Sequence, residues 1–294
     1  MKIKALKRKS KKGKLYIGIE SHGSLCTTLL LCQWRAHSPV LSKITPEDIA
    51  FQIGKAVYGG IAMFIGHYGV GFALKKLEKR MSLGFLFILV MLPDILLYIF
   101  VLLGIEKVSF VKGITKANPL YLIYYPFSHS LISNILLALF IFIAFRLLSP
   151  SRTPFRLVIV GIAVLSHFFL DFLVHIPDMP ILFDSMKVGL GLWNNLPLSY
   201  SIETAIFVSG FLVYIFTVKE YRTGKKIGIS VLAAIMLAIN FSTLSGTVPP
   251  GVNIFVISNL AVNIVIIGLA FWLDDVEIEA GNAAGTITSG GSTV

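Results

Sequence analysis

Charge and thiols are what this sequence has least of. Charged residues make up 14% of its 294 residues, against roughly 25% in an ordinary soluble domain. Its two cysteines, Cys26 and Cys32, both fall within the first 62 residues. The shortage of charge, with 55% hydrophobic residues and a mean hydropathy of +0.82, excludes a soluble body and points to a bilayer. The lack of cysteine after Cys32 excludes thiol catalysis and disulfides from the remaining chain. A cleavable signal is also missing. Leu29 to Leu31 is too short for an apolar signal core, Glu20 to Gly23 interrupts the stretch before it, and no small-x-small site precedes Gln33.

The charge that is there is unevenly placed. The net charge is +11, which in a single basic body would suggest a nucleic-acid partner. Residues 1–62, however, hold eleven Lys and Arg against Glu20, Glu47 and Asp48, a net of +8 that leaves only +3 for everything after them. The head is expected to be basic and without fixed structure. Met63 opens the first membrane segment directly and is the expected true start, which would place the head upstream of the protein. No nucleic-acid partner is expected; membrane lipids are.

Seven apolar segments follow: Gly60 to Leu74, Met81 to Gly104, Phe127 to Leu148, Phe155 to Ile176, Tyr200 to Val218, Ile227 to Leu244 and Val252 to Leu273. At 1.5 Å per residue most can span a hydrocarbon core, and the first is marginal. The expected fold is all-α, a polytopic transmembrane bundle of six to seven membrane segments. Lys75, Lys76, Lys79 and Arg80, then Arg146, Arg152 and Arg156, then Lys219, Arg222, Lys225 and Lys226 mark alternate loops. By the positive-inside rule these loops are cytoplasmic, and so is an acidic tail from Asp274. Residues 63–222 would form the functional core, 223–273 two additional helices, and 274–294 an acidic, then Gly/Ser/Thr-rich, unstructured tail.

Within these spans stand ionisable residues that each cost about 2.5 to 3.5 kcal/mol at mid-bilayer: His67, Asp94, His129, His167, Asp171, His175 and Glu203. Such groups are expected to converge. His167, Asp171 and His175 recur at i, i+4 and i+8, one stripe of a helix, with the two histidines about 12 Å apart along its axis, too far to share one ion. A mixed imidazole and carboxylate set suits a divalent transition metal, zinc first, with manganese or iron as alternatives. The expected ligands are His67, Asp94, His129, His167 and Asp171. These exceed what one tetrahedral ion needs, so either some support the others or there are two ions. A metal there would lower the pKa of a water and make it the nucleophile. Asp178 or Glu203 would act as base, and His175 would support the ligands or touch substrate. Trp193, Asn194 and Pro197 read equally as an interfacial anchor or a pocket wall, and Asn259 and Asn263 as packing contacts.

The strings FIGHYGVGFALKK from Phe64, LPDILLYIF from Leu92, YPFSHSL from Tyr125, SHFFLDFLVHIPDMP from Ser166 and GLWNNLP from Gly191 together resemble an uncharacterised bacterial multi-pass family. That family is related to the YdjM-like membrane-bound metal-dependent hydrolases, and some members are labelled permeases. The resemblance spans Met63 to Arg222. It implies that His67, Asp94, His129, His167 and Asp171 match the family's His and Asp positions. The expected protein is a multi-pass enzyme of the bacterial inner membrane with its C-terminus in the cytoplasm. Its metal site would open toward the extracytoplasmic leaflet and hydrolyse a lipid-like or small-molecule ester or phosphoester. No arginine cluster able to grip phosphate stands in the outer loops, where only Lys107, Lys112, Lys116 and Lys187 are available. One rival is a transporter or ion-coupled permease, which would need polar access from both sides; Leu83 to Leu92, Ile135 to Phe145 and Leu157 to Leu165 offer none on the inner side. Another is a structural membrane protein whose polar cluster only packs helices.

Overall fold

The computed structural model describes residues 6–9, 15–18, 65–148, 154–218, 221–242, 244 and 249–274. Met63, both cysteines, the loop cations Arg152 and Lys219 and the tail beyond Asp274 lie outside them. In the head, β1 (Leu6–Lys9) and β2 (Leu15–Gly18) pair antiparallel, with Leu6 opposite Gly18 and Lys9 opposite Leu15. At those positions the expectation of a head without structure gives way to a hairpin, in keeping with the strand-forming Leu15, Tyr16 and Ile17.

The remainder, taken by itself, is mostly helical. Among the described residues it holds α1 (Ile65–Leu77), α2 (Leu83–Leu102), α3 (Leu131–Leu148), α4 (Pro154–Val174), α5 (Leu196–Thr217), α6 (Thr223–Ser242) and α7 (Val252–Leu273). Five are long and apolar enough to cross a membrane: α2, α4, α5, α6 and α7. The apolar stretch of α3 is shorter, and α1 has 13 residues. An all-α reading needs one correction. The connections after α2 and α4 are antiparallel hairpins, β3 (Lys107–Phe110) with β4 (Leu120–Tyr124) and β5 (Met179–Leu182) with β6 (Ser185–Val188). Each is too brief to show a clear alternation against its apolar surroundings.

Local chemistry sets the helix ends. Ser82 caps α2 by accepting from the Phe85 N–H at 3.2 Å, and Asn195 caps α5 by accepting from Leu198 N–H at the same distance. The third segment turns helical only at Leu131, later than its apolar run begins. Ser130 Oγ accepts the Ser133 N–H at 3.1 Å, and Pro126 cannot lie inside a helix without losing a bond, so Pro126 to Ser130 is left as a non-helical corner.

Polarity is turned inside out relative to a soluble bundle. Phe140, Leu147, Phe216, Phe241 and Trp272 are 66–73% exposed, whereas His67, His167, Asn259 and Asn263 are buried. Lipid is the solvent that accepts such a surface. At the centre, the Phe72 ring meets Phe87, Phe207, Phe211 and Tyr214 at 5.0 to 5.7 Å. Helices α1 and α5 cross so closely that a Cβ on Gly69 would stand 2.6 Å from the Ile206 carbonyl oxygen, and one on Gly210 would overlap the Gly69 backbone.

Asp274 is not part of a tail. It is buried with Lys75 in a 2.6 Å ion pair, accepts the Leu83 N–H at 2.8 Å and the Tyr214 hydroxyl at 3.0 Å, while Lys75 Nζ also donates to the Met81 carbonyl at 2.7 Å. This clasp gathers the ends of α1, α5 and α7 and the start of α2. Arg156 Nε, 2.9 Å from Glu78 Oε2, brings the start of α4 to the same end. His67, in the first turn of α1, and Asp171, fifteen residues past Arg156 and so about 22 Å along α4, stand toward the opposite end.

Candidate metal centre

Four elements carry the ionisable residues to one place. His67 comes from α1, Asp94 from α2 just after Pro93, His129 from the corner before α3, and His167 with Asp171 from one face of α4. All five are buried, at 5% exposure or less. The His67 and His167 rings are centred 4.1 Å apart, and the His129 and His167 rings 5.2 Å apart.

Hydrogen-bond partners assign the tautomers. His167 Nδ1 lies 2.7 Å from the Val90 carbonyl, which can only accept, so Nδ1 carries the proton and Nε2 presents a lone pair. Pro93 lacks the N–H that would close the neighbouring turn of α2 and thereby loosens that stretch of the helix. His129 Nδ1 lies 2.8 Å from Ser128 Oγ, whose hydroxyl donates to Glu106 Oε2 at 2.6 Å. Having one hydrogen, that hydroxyl must accept from His129, so this Nε2 is also a lone pair.

Both lone pairs point at carboxylates. His167 Nε2 is 3.2 Å from Asp171 Oδ2 and 3.7 Å from Asp94 Oδ1, and His129 Nε2 is 3.5 and 3.3 Å from the same two oxygens. With both imidazoles neutral, these are contacts between acceptors. His167 Nε2 makes no hydrogen bond despite its 3.2 Å approach, and neither does Asp94 Oδ2. A tetrahedral zinc with bonds of about 2.0 to 2.2 Å separates its ligand atoms by about 3.3 to 3.6 Å. The contacts of His129 Nε2 and His167 Nε2 with Asp94 Oδ1 and Asp171 Oδ2, 3.2 to 3.7 Å, bracket that spacing. His67 Nε2 lies 3.2 Å from the other Asp171 oxygen, Oδ1. Two overlapping groups, His67 with His167 and Asp171, and Asp94 with His129 and His167, have ligand atoms near enough to hold an ion. Both use His167, whose single free nitrogen serves one ion.

Comparison with family models, with curated proteins and with solved structures finds no match.

The remaining expected residues are placed as follows. His175 and Asp178 turn to each other, Nδ1 to Oδ1 at 3.0 Å, and the His175 ring rests on Trp193 with centroids 4.1 Å apart. Trp193 is buried and its carbonyl accepts the N–H groups of Lys116 and Ala117, which makes it a wall inside the hairpin end. The Tyr125 hydroxyl donates to the Asp178 carbonyl; burial and the Asp178 carboxylate push its pKa well above the usual phenol range. Glu203 sits beside His67: a Cβ on Gly66 would lie 3.7 Å from its Cγ. His67 and Glu203 are the ionisable lining of a cleft of about 10 Å³ between α1, α4 and α5, the room of one water molecule, with Leu170, Leu173, Ile202 and Ile206 around them. Asn263 accepts from the Tyr68 hydroxyl at 2.5 Å and donates to the Asn259 carbonyl at 2.9 Å, joining α1 to α7.

Sequence reasoning did not single out Glu106 or Lys75. Lys75 looks like any loop cation, and Glu106 stands beyond Gly104 among three loop lysines. Ser128 lies within YPFSHSL, yet only the folded corner shows which ring nitrogen it meets.

Proposed function

We propose that this protein is a membrane-embedded, metal-dependent hydrolase of ester or phosphoester bonds in lipid-like substrates. In this reading it is a six- to seven-segment bundle of the bacterial inner membrane, with its C-terminus cytoplasmic and its site toward the extracytoplasmic leaflet, akin to the YdjM-like family that its His and Asp strings resemble. The observation that carries the reading is His167. With Nδ1–H committed to Val90, its buried Nε2 faces two carboxylates and lacks a hydrogen-bond partner, an arrangement a divalent cation satisfies and a neutral packing contact does not.

Asp94, His129 and His167, whose ligand atoms lie near one another, would hold the metal, zinc first with manganese and iron as the alternatives, and would leave a fourth position for water, with Asp171 set against His129 and His167. When bound, it supplies Lewis acidity, lowering the pKa of water toward neutrality and polarising the scissile group. His67 steadies the outer oxygen of Asp171. Of the two carboxylates expected as bases, Glu203 is favoured, since it shares with His67 a cleft with room for one water, whereas Asp178 is engaged with His175. Taking a proton from that water is then the role of Glu203.

The test is hydrolysis by purified protein in vesicles of phosphatidylethanolamine and phosphatidylglycerol, given chromogenic esters and phosphoesters. The expected result is turnover that a chelator stops and zinc restores, and that Asp171→Asn lacks. No turnover with any of these substrates, together with solute uptake in the same vesicles, would contradict the reading and favour a permease.

A further inference from the structure

Glu106 is a carboxylate buried to 1% exposure just after α2, and its side chain bonds the corner that carries His129. Its Oε1 accepts the backbone N–H groups of Phe127 and Ser128 at 2.8 and 2.9 Å, and its Oε2 accepts the Ser128 hydroxyl at 2.6 Å. Ser128 Oγ in turn lies 2.8 Å from His129 Nδ1. The corner that carries this pair is held apart from solvent and independently braced. Asn134 Nδ2 donates to the Ser128 and Ser130 carbonyls at 3.0 and 2.9 Å, and the hydroxyls of Ser130 and Ser133 both donate to the Pro126 carbonyl at 2.7 Å.

Hydrogen-bond polarity along this chain has a direction. A carboxylate can only accept, so the one hydroxyl hydrogen of Ser128 goes to Glu106; the hydroxyl oxygen is then left to accept, and the hydrogen it accepts must come from His129 Nδ1. In the neutral ring the proton is thereby kept off Nε2, the nitrogen that lies 3.3 Å from Asp94 Oδ1 and 3.5 Å from Asp171 Oδ2. We propose that Glu106, acting through Ser128, is a positioning residue that fixes the tautomer of His129 and so sets the affinity of the site for a divalent metal. The proposal rests on the metal reading above for its consequence, but the tautomer itself does not depend on a metal.

Glu106→Gln inverts the polarity with almost no change of shape. Its amide oxygen stays on the two backbone N–H groups, because turning the amide would set its NH2 against them, and so its NH2 faces Ser128. Ser128 then accepts from Gln and donates to His129 Nδ1, which drives the imidazole proton to Nε2, facing the carboxylates.

The experiment uses the full chain in detergent, with two readouts. Nitrogen-15 NMR of the histidines in metal-free protein is expected to show His129 as the Nδ1–H tautomer in wild type and the Nε2–H tautomer in Glu106→Gln. Competition titration with zinc is expected to show a ten- to hundred-fold weaker affinity in Glu106→Gln. Ser128→Ala is expected to weaken zinc binding, and adding Glu106→Gln to it should weaken binding no further, since the two act as one relay. Should Glu106→Gln not fold, Ser128→Ala alone is expected to remove the Nδ1–H preference. A His129 tautomer unchanged in both variants overturns the proposal. A tautomer that switches as expected while wild type takes up no zinc supports the relay and refutes the metal reading.

Discussion

Lys75 and Asp274 have no exposed surface in their side chains and are 2.6 Å apart, so each is the other's reason for being inside. Removing one partner of a buried pair typically costs about 3 to 5 kcal/mol, whereas replacing both with apolar residues is often neutral. Lys75→Met is therefore expected to lower the thermal midpoint sharply in detergent, and Lys75→Met with Asp274→Leu to recover much of the loss; a single variant as stable as wild type would contradict the clasp. At the site, geometry separates residues that the sequence treats alike. His129→Ala is expected to abolish stoichiometric zinc binding, while His67→Ala, whose imidazole meets the outer oxygen of Asp171, should weaken it by about ten- to hundred-fold, measured by competition titration. The five ligand candidates were legible as rare ionisable residues in apolar spans. Their arrangement as two overlapping groups that share His167 was not, because it depends on which carboxylate oxygen each ring nitrogen faces.

Among the elements, the crossing of α1 and α5 depends on having no side chain at Gly69 and Gly210. Gly210→Val is expected to force these helices apart at a cost of about 1 to 3 kcal/mol or more. Gly161→Ala, in α4 where an added Cβ meets nothing within 4 Å, should leave stability unchanged or raise it by up to about 1 kcal/mol. Thermal unfolding of both variants checks the contrast. The helices were legible because long apolar runs leave few alternatives in a bilayer, and Val252–Leu273 has the bounds its apolar run suggests. The hairpins were not. Strands of four or five residues, β3 carrying a lysine and β5 a proline, show too little alternation to tell from loop. For the same reason His129, expected at a helix start, stands on a corner set by Pro126 and the serine hydroxyls.

For the whole molecule, charge and polarity divide by end. The clasp of Lys75 with Asp274 and the pair of Arg156 with Glu78 gather at one end, the His and Asp cluster toward the other. The proposed orientation would put the clasp end in the cytoplasm. In a background of Cys26→Ser and Cys32→Ser, Lys79→Cys is expected to react with a membrane-impermeant maleimide only after the membrane is opened, and Lys187→Cys in intact cells. The reverse pattern would invert the topology. Metal content of the purified full chain addresses the central claim most directly. The account predicts close to one divalent transition-metal ion per chain, lost in both His167→Ala and Asp171→Ala at unchanged folding. A wild-type protein without such a metal, or metal retained in both variants, would contradict it.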